Sequence, residues 1–247
     1  MFTFTPDAHL FSFAVPFDAG YTPFVADGIA SFALSQPQIR ACAQCGDVLL
    51  GLTADNAQVR VVFVFLVDET LSWEAYSKRT REERQRIPHN VLDAADAIYP
   101  PASRQPLPSW SGHTAADYER DIVEGQNVLL SRRFWYFGKG SKVPMLLPEA
   151  LHVLLPSGGF RKQVNDTLRQ DFAKTFNNLL NAASAQAYGV YDQPQYQPEL
   201  EGFNFIMSCS TLSASADGCG AQVEGRVPLD VLRDAERNND VIGERLN

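Results

Sequence analysis

Residues 131–139 read Ser-Arg-Arg-Phe-Trp-Tyr-Phe-Gly-Lys, so Arg132 and Arg133 directly precede four consecutive aromatic rings. Such a set can hold a phosphate and a flat base together. Stacking a base on an aromatic ring contributes about 1–3 kcal/mol, and an arginine adds a charge-assisted bond to a phosphate oxygen. A sheet strand with alternate rings in the core is the competing structural account, and it suits at least two of the four rings better. His113 stands in Trp-Ser-Gly-His-Thr-Ala-Ala-Asp, with Asp117 and Asp121 downstream. A histidine with a carboxylate in reach can act as a general base or as an orienting pair. The same string also fits a helix start capped by Thr114 and Asp117. Cys42-Ala43-Gln44-Cys45 has the spacing of a metal knuckle, but structural zinc needs two further ligands. Cys209 and Cys219, with nine residues between them, are poorly spaced to supply them, so no metal site is expected.

No Gly-x-Ser-x-Gly elbow, Gly-x-x-x-x-Gly-Lys-Ser/Thr phosphate loop, Gly-x-Gly-x-x-Gly dinucleotide turn or His-Glu-x-x-His pair occurs, and no cofactor is indicated. The net charge of −8 excludes a protein held on nucleic acid by its overall field. Any such contact must be local. The densest basic run, Lys78, Arg79, Arg81, Arg84 and Arg86, fits a solvated face better than a phosphate site. Hydrophobic residues at 45% and charged residues at 20% describe a globular chain, and sixteen Phe, eight Tyr and three Trp serve mainly as core. The first residues lack a basic segment followed by an apolar one, and no stretch nears eighteen apolar residues. With that, four cysteines are expected as thiols, and the location as cytoplasmic, with no membrane partner.

These residues need elements to position them. Residues 10–15 and 29–34 look like strands, 38–45 a helical turn, and Gly46-Asp47 a turn leading into a strand at 48–52. The unbroken Val, Phe and Leu of residues 60–67 mark a strand covered on both faces, at the centre of a sheet. Residues 70–86 are helical in composition. Residues 88–112 carry five prolines with Tyr99 and Trp110, an irregular connection suited to a lid or recognition loop. Residues 128–138 form one strand stopped by Gly138. Apolar residues three and four apart from Val164 to Ala183 predict an amphipathic helix over 161–187 that closes one face of the sheet. A loop at 189–202 and a surface helix at 229–239 complete the chain. The expected fold is a single α+β domain over 1–247, with a mixed or largely antiparallel central sheet and that helix packed on it.

The block Phe17-Asp18-Ala19-Gly20-Tyr21-Thr22-Pro23, Gly28-Ile29, Gln36-Pro37-Gln38-Ile39-Arg40 and Gly46-Asp47 to Gly51 resembles the nucleotide modification associated domain type 2 family. Asp96-Ala97-Ile98-Tyr99-Pro100, His113 and the string from Val128 to Gly138 follow in the same order. The likeness covers residues 10–160 as a core, leaving 161–247 as a C-terminal helical extension. It implies a domain of phage and bacterial systems that make or handle modified bases, with candidate positions Arg40, Asp47, His113, Ser131, Phe134, Tyr136 and Gly138. The Gly-Asp turn before a strand is similar to that of PUA-like modified-base readers, so a PUA-like sheet is among the expectations.

Three functions are consistent with these residues. One is recognition of a nucleotide or nucleic-acid base, with rings from 134–137, Ser131, Gly138 and Lys139 forming a slot and Arg40 or Arg132 on phosphate. Another is an enzyme acting on a base or nucleotide, with His113 and either Asp117 or Asp47 in proton transfer. The third is a scaffold that binds other proteins of a modification complex.

Overall fold

The apolar strands dictate a layered molecule, because a run of Val, Phe and Leu with no polar face must be covered on both sides. The computed structural model describes residues 1–192 except residues 17, 19, 56, 83 and 144. The expected loop beyond residue 192, the helix at 229–239 and Cys209 and Cys219 lie outside the described residues. The strands are β1 (Leu10–Ala14), β2 (Phe24–Ala26), β3 (Ile29–Phe32), β4 (Val48–Asp55), β5 (Gln58–Leu66), β6 (Glu69–Ser72), β7 (Asn127–Ser131), β8 (Arg133–Tyr136), β9 (Phe160–Gln163) and β10 (Gly189–Val190). The α-helices are α1 (Pro37–Cys42), α2 (Trp73–Glu82) and α3 (Asp166–Ala182). The fold class is α+β.

A mixed six-stranded sheet runs β10-β8-β5-β4-β1-β9, and a four-stranded antiparallel sheet runs β2-β3-β7-β6. One face of the larger sheet packs Val48, Leu50, Val61, Val64 and Trp135 against Phe172, Phe176 and Leu180 of α3. Its other face packs Phe11, Phe13, Phe63, Phe65, Phe134 and Tyr136 against Phe32 and Leu129 of the smaller sheet. The outer side of the smaller sheet is covered by Tyr76, Ile98 and Tyr99. Alternation lets β5 serve both inner layers, and Val62 is an extra residue in it: Gly51 pairs with Phe63 but Leu52 with Val61. That bulge resets the alternation, and the Val62 carbonyl accepts from the N–H groups of Phe137 and Gly138 at the end of β8.

Four expectations are corrected. Residues 128–138 are two strands in two sheets, broken at exposed Arg132, not one strand. The cause is Asp68: its carboxylate accepts from the Arg132 N–H at 2.6 Å and from Arg133 Nε at 2.7 Å, and so pins the corner where β5–β6 and β7–β8 cross between sheets. Residues 69–72 are strand rather than helix, since they pair with β7. Residues 160–163 pair antiparallel with β1 as an edge strand, and the helix begins only after Asn165, whose side chain caps Leu168 N–H. Finally, Cys45 is a free, exposed thiol but Cys42 is disulfide-bonded. Among the described residues no helix is long and apolar enough to cross a membrane.

Candidate functional site

β2, the end of β3 and the irregular segment after α2 enclose a cavity of about 430 Å³. Phe24, Phe32 and Trp110 give it flat apolar walls, and Thr22, Ser35, Asp96, Ser111 and Tyr136 supply polar atoms. Phe24 and Trp110 are only half-buried, unlike the rings of the core. The proline-rich segment brings Leu92, Ala94, Asp96, Trp110 and Ser111 to this wall. It is tied back on itself there: Trp110 N–H donates to the Asp93 carbonyl at 3.1 Å, and the Asp93 carboxylate accepts from His89 N–H at 2.6 Å. Apolar walls with a few placed polar groups are the usual form of a small-molecule site.

Behind Asp96 lies a buried polar group. Tyr76 hydroxyl donates to one carboxylate oxygen at 2.5 Å, Ser31 hydroxyl to the other at 2.7 Å, and Arg86 Nη1 donates to Ser31 at 2.8 Å. Arg86 also donates to the carbonyls of Ala26 and Ile29. It is 2% exposed, so this end of the basic run is interior rather than a solvated face. Burial pushes Asp96 above the ordinary carboxylate range, against the hydrogen bonds from Tyr76 and Ser31 and the charge of Arg86.

His113 lies next to Gly20, a residue of the cavity wall, without lining the cavity itself. Its Nδ1 is 2.5 Å from Asp121 Oδ2, which also accepts from Tyr99 hydroxyl at 2.9 Å, while Arg120 clamps Oδ1 at 2.8 Å. Burial alone would raise Asp121, but the hydrogen bond and charge of His113 and the charge of Arg120 outweigh it and hold the carboxyl low. An ionised carboxylate only accepts, so Nδ1 carries the hydrogen and Nε2 is turned the other way. Nε2 lies 3.6 Å from where a Cβ on Gly20 would stand, and Gly20 lines the cavity. The partner is Asp121 and not Asp117. Asp117 instead closes a capping box with Thr114 and pairs with Arg120 at 2.8 Å.

Arg40 is buried and bound to the backbone. Its guanidinium donates to the carbonyls of Ser35, Asn127, Leu34 and Asp121, at 3.0, 2.8, 3.2 and 2.6 Å. Burial pulls it down to about 10, which leaves it charged at neutral pH. The cradle exists because residue 125 is glycine: a Cβ there would stand 2.6 Å from Nη1 and closer still to Cζ and Nη2. Arg40 thus joins the cavity wall at Leu34 and Ser35 to the segment that carries Asp121.

The remaining sequence-derived positions do not assemble a single slot. Alternation along β8 sends Phe134 and Tyr136 to one face and Trp135 and Phe137 to the opposite core, all at most 3% exposed. Of the four, Tyr136 reaches the cavity, where its hydroxyl donates to Asp18 at 2.9 Å. Burial and the charge of Asp18 push that phenol up. Arg132 is exposed at the sheet corner, Ser131 Oγ accepts from Arg133 N–H, Gly138 turns at φ 79°, and Lys139 N–H donates to Asp18. Asp47 accepts from the N–H groups of His9 and Gln44 and so holds the turn before β4. It does not line the cavity. Ser35, Asp96 and Trp110, which line the cavity, were not among the candidate site residues; only the aromatic, proline-rich composition around Trp110 marked that stretch.

The sequence profile of nucleotide modification associated domain 2 matches residues 7–198. The chain belongs to this family. No curated protein and no solved structure is significantly similar to it. The nucleotide modification associated domain 2 region contains every cavity residue, the His113–Asp121 pair and Arg40. The family's description connects the domain with nucleotide modification systems. Among its described residues no group of three His, Cys, Asp or Glu side chains is placed to hold a metal.

Proposed function

We propose that the chain recognises a base, in a nucleotide or a nucleic acid, by taking it into the cavity beside Trp110. The observation that carries this reading is the pair of half-buried rings, Phe24 and Trp110, facing a cavity with hydroxyl and carboxyl groups on its wall. Rings sunk in a core are needed by the fold; half-buried rings on a cavity wall present a surface on which a base can stack. The net charge of −8 makes the contact local, so affinity should fall less steeply with salt than for a protein that tracks phosphates. The setting is the cytoplasm, beside the other proteins of a bacterial or phage modification system.

Calorimetric titration with modified and unmodified oligonucleotides and free nucleotides tests this. Trp110→Ala should weaken binding by about 1–3 kcal/mol, the contribution of one stacked base. The reading is wrong if the unaltered protein, at micromolar concentration in low salt, binds none of these.

His113 favours a second reading, an enzyme that moves a proton on the bound base. Its Nδ1 is paired with the Asp121 carboxylate and Nε2 lies next to Gly20, a residue of the cavity wall. His113→Gln should then abolish the modification made in cells while leaving base binding in vitro within about threefold. An unchanged modification pattern would remove His113 from the chemistry.

A further inference from the structure

Among the described residues the cavity is lined by one carboxylate, Asp96, and by the hydroxyl-bearing Thr22, Ser35, Ser111 and Tyr136, with no Lys, Arg or His. Arg86 stands behind Asp96 and is already engaged with Ser31 and two carbonyls. Ala94 and Asp96 both line the cavity. The Asp96 oxygens accept from Tyr76 and Ser31, and an ionised carboxylate has about four acceptor sites, so it has capacity for another donor. Ser35 Oγ is a separate observation. It is buried in the cavity wall with no hydrogen-bond partner among the described residues. Arg40 holds its carbonyl at 3.0 Å, so the hydroxyl cannot swing away by moving the backbone. Buried polar atoms without partners are rare in folded proteins, and a ligand atom is one way to satisfy them.

A phosphate is a poor occupant of such a space. It would bring a second anion beside Asp96 with no cation among the described lining residues to offset it. A heterocycle fits better: its faces meet Phe24 and Trp110, its N–H edge meets a carboxylate, and a ring or exocyclic polar atom meets a hydroxyl. We propose that the cavity takes the uncharged base of a nucleoside, or of a nucleotide unit swung out of its strand, with an N–H donated to Asp96, a polar atom paired with Ser35 Oγ and the phosphate left outside. This rests on the base-recognition reading and adds what part of the ligand enters and what reads it.

The test is titration of the full chain with the common nucleosides, their 5′-monophosphates, oligonucleotides and inorganic phosphate. At least one nucleoside should bind, its monophosphate should bind within about threefold of it, and inorganic phosphate should not compete. Ser35→Ala removes a hydroxyl that no described residue uses, so its melting temperature should stay unchanged while affinity for that nucleoside drops roughly 2- to 12-fold, the loss of one neutral hydrogen bond. Asp96→Asn should weaken the nucleoside by at least about tenfold, as expected for a bond to a charged acceptor. Binding of monophosphates without nucleosides, or competition by phosphate, overturns the proposal and leaves base recognition elsewhere standing. So does an unchanged affinity in Ser35→Ala. If no nucleoside, nucleotide or oligonucleotide binds the unaltered protein, base recognition itself is wrong and this proposal falls with it.

Discussion

Replacing Gly125 with alanine is a sharp test of the site's architecture, because elementary arguments predict opposite signs. Gly125 has φ −71° and ψ −24°, ordinary helical values that alanine prefers, so the backbone argument predicts stabilisation by about 0.4–1 kcal/mol. The side-chain argument predicts a loss. A Cβ at 125 would stand 2.6 Å from Arg40 Nη1 and closer to Cζ, so the guanidinium must leave its place. Leaving it breaks hydrogen bonds to the carbonyls of Ser35, Asn127, Leu34 and Asp121, in a residue 1% exposed. Uncompensating a buried charge costs about 3–5 kcal/mol. The net destabilisation is then about 3 kcal/mol, or roughly 6–12 °C in melting temperature for a chain of this length. Thermal and urea unfolding of the purified variant measure it. A double-mutant cycle with Arg40→Met adds a control: with the guanidinium gone, Gly125→Ala should cost less than about 1 kcal/mol. A melting temperature at or above that of the unaltered protein would refute the cradle and, with it, the coupling of the cavity wall to Asp121.

Gly51→Ala should be destabilising for a different reason: its Cβ would stand 2.9 Å from Cζ of Phe63 and closer to the ring edge, in a packed layer, at a cost of about 1–3 kcal/mol by urea unfolding. Asp121→Asn should show a pH signature. The carboxyl is held below its ordinary 3.8, so its stabilisation is complete above that value and is lost as pH falls through the lower folded value. The gap between variant and unaltered protein should therefore be widest near neutrality and close below about pH 4; a gap independent of pH would contradict the pairing. Asn177→Ala should loosen the amino terminus, since the side chain accepts from Phe2 N–H and donates to its carbonyl, both at 2.8 Å; protease cleavage near Phe2 and a loss of about 1–3 kcal/mol are the readouts.

What was legible in the sequence was local. The unbroken apolar run of β5 announces a strand covered on both faces, and the Gly46-Asp47 turn announces the start of β4. The break between β7 and β8 was not legible, because its cause, Asp68, lies 64 residues from Arg132 along the chain. Arg40 looked like a phosphate ligand for the same reason: nothing near it in sequence shows that Gly125 has left room for its guanidinium. The two-residue period of a strand, legible in the sequence, is what sends Phe134 and Tyr136 to one face and Trp135 and Phe137 to the other. His113 was identifiable by type. Its partner was not, since the π-helical turn at Glu119–Glu124 is what brings Asp121 rather than Asp117 to Nδ1.

The site's two chemical parts share one support. The guanidinium of Arg40 holds the carbonyls of Leu34 and Ser35 on the cavity wall and the carbonyl of Asp121 behind His113. A ligand that fills the cavity and draws Ser35 toward it therefore acts on the same rigid clamp that sets the Asp121 carboxylate. The clamp has little freedom, because Gly125 leaves only the space the guanidinium occupies. The cavity wall and the backbone behind His113 thus share one support in Arg40. A reader needs only the wall; an enzyme needs both parts in register. Loosening the clamp separates them: it should weaken a reader only as far as Ser35 is displaced, but an enzyme by that loss multiplied by the misorientation of His113.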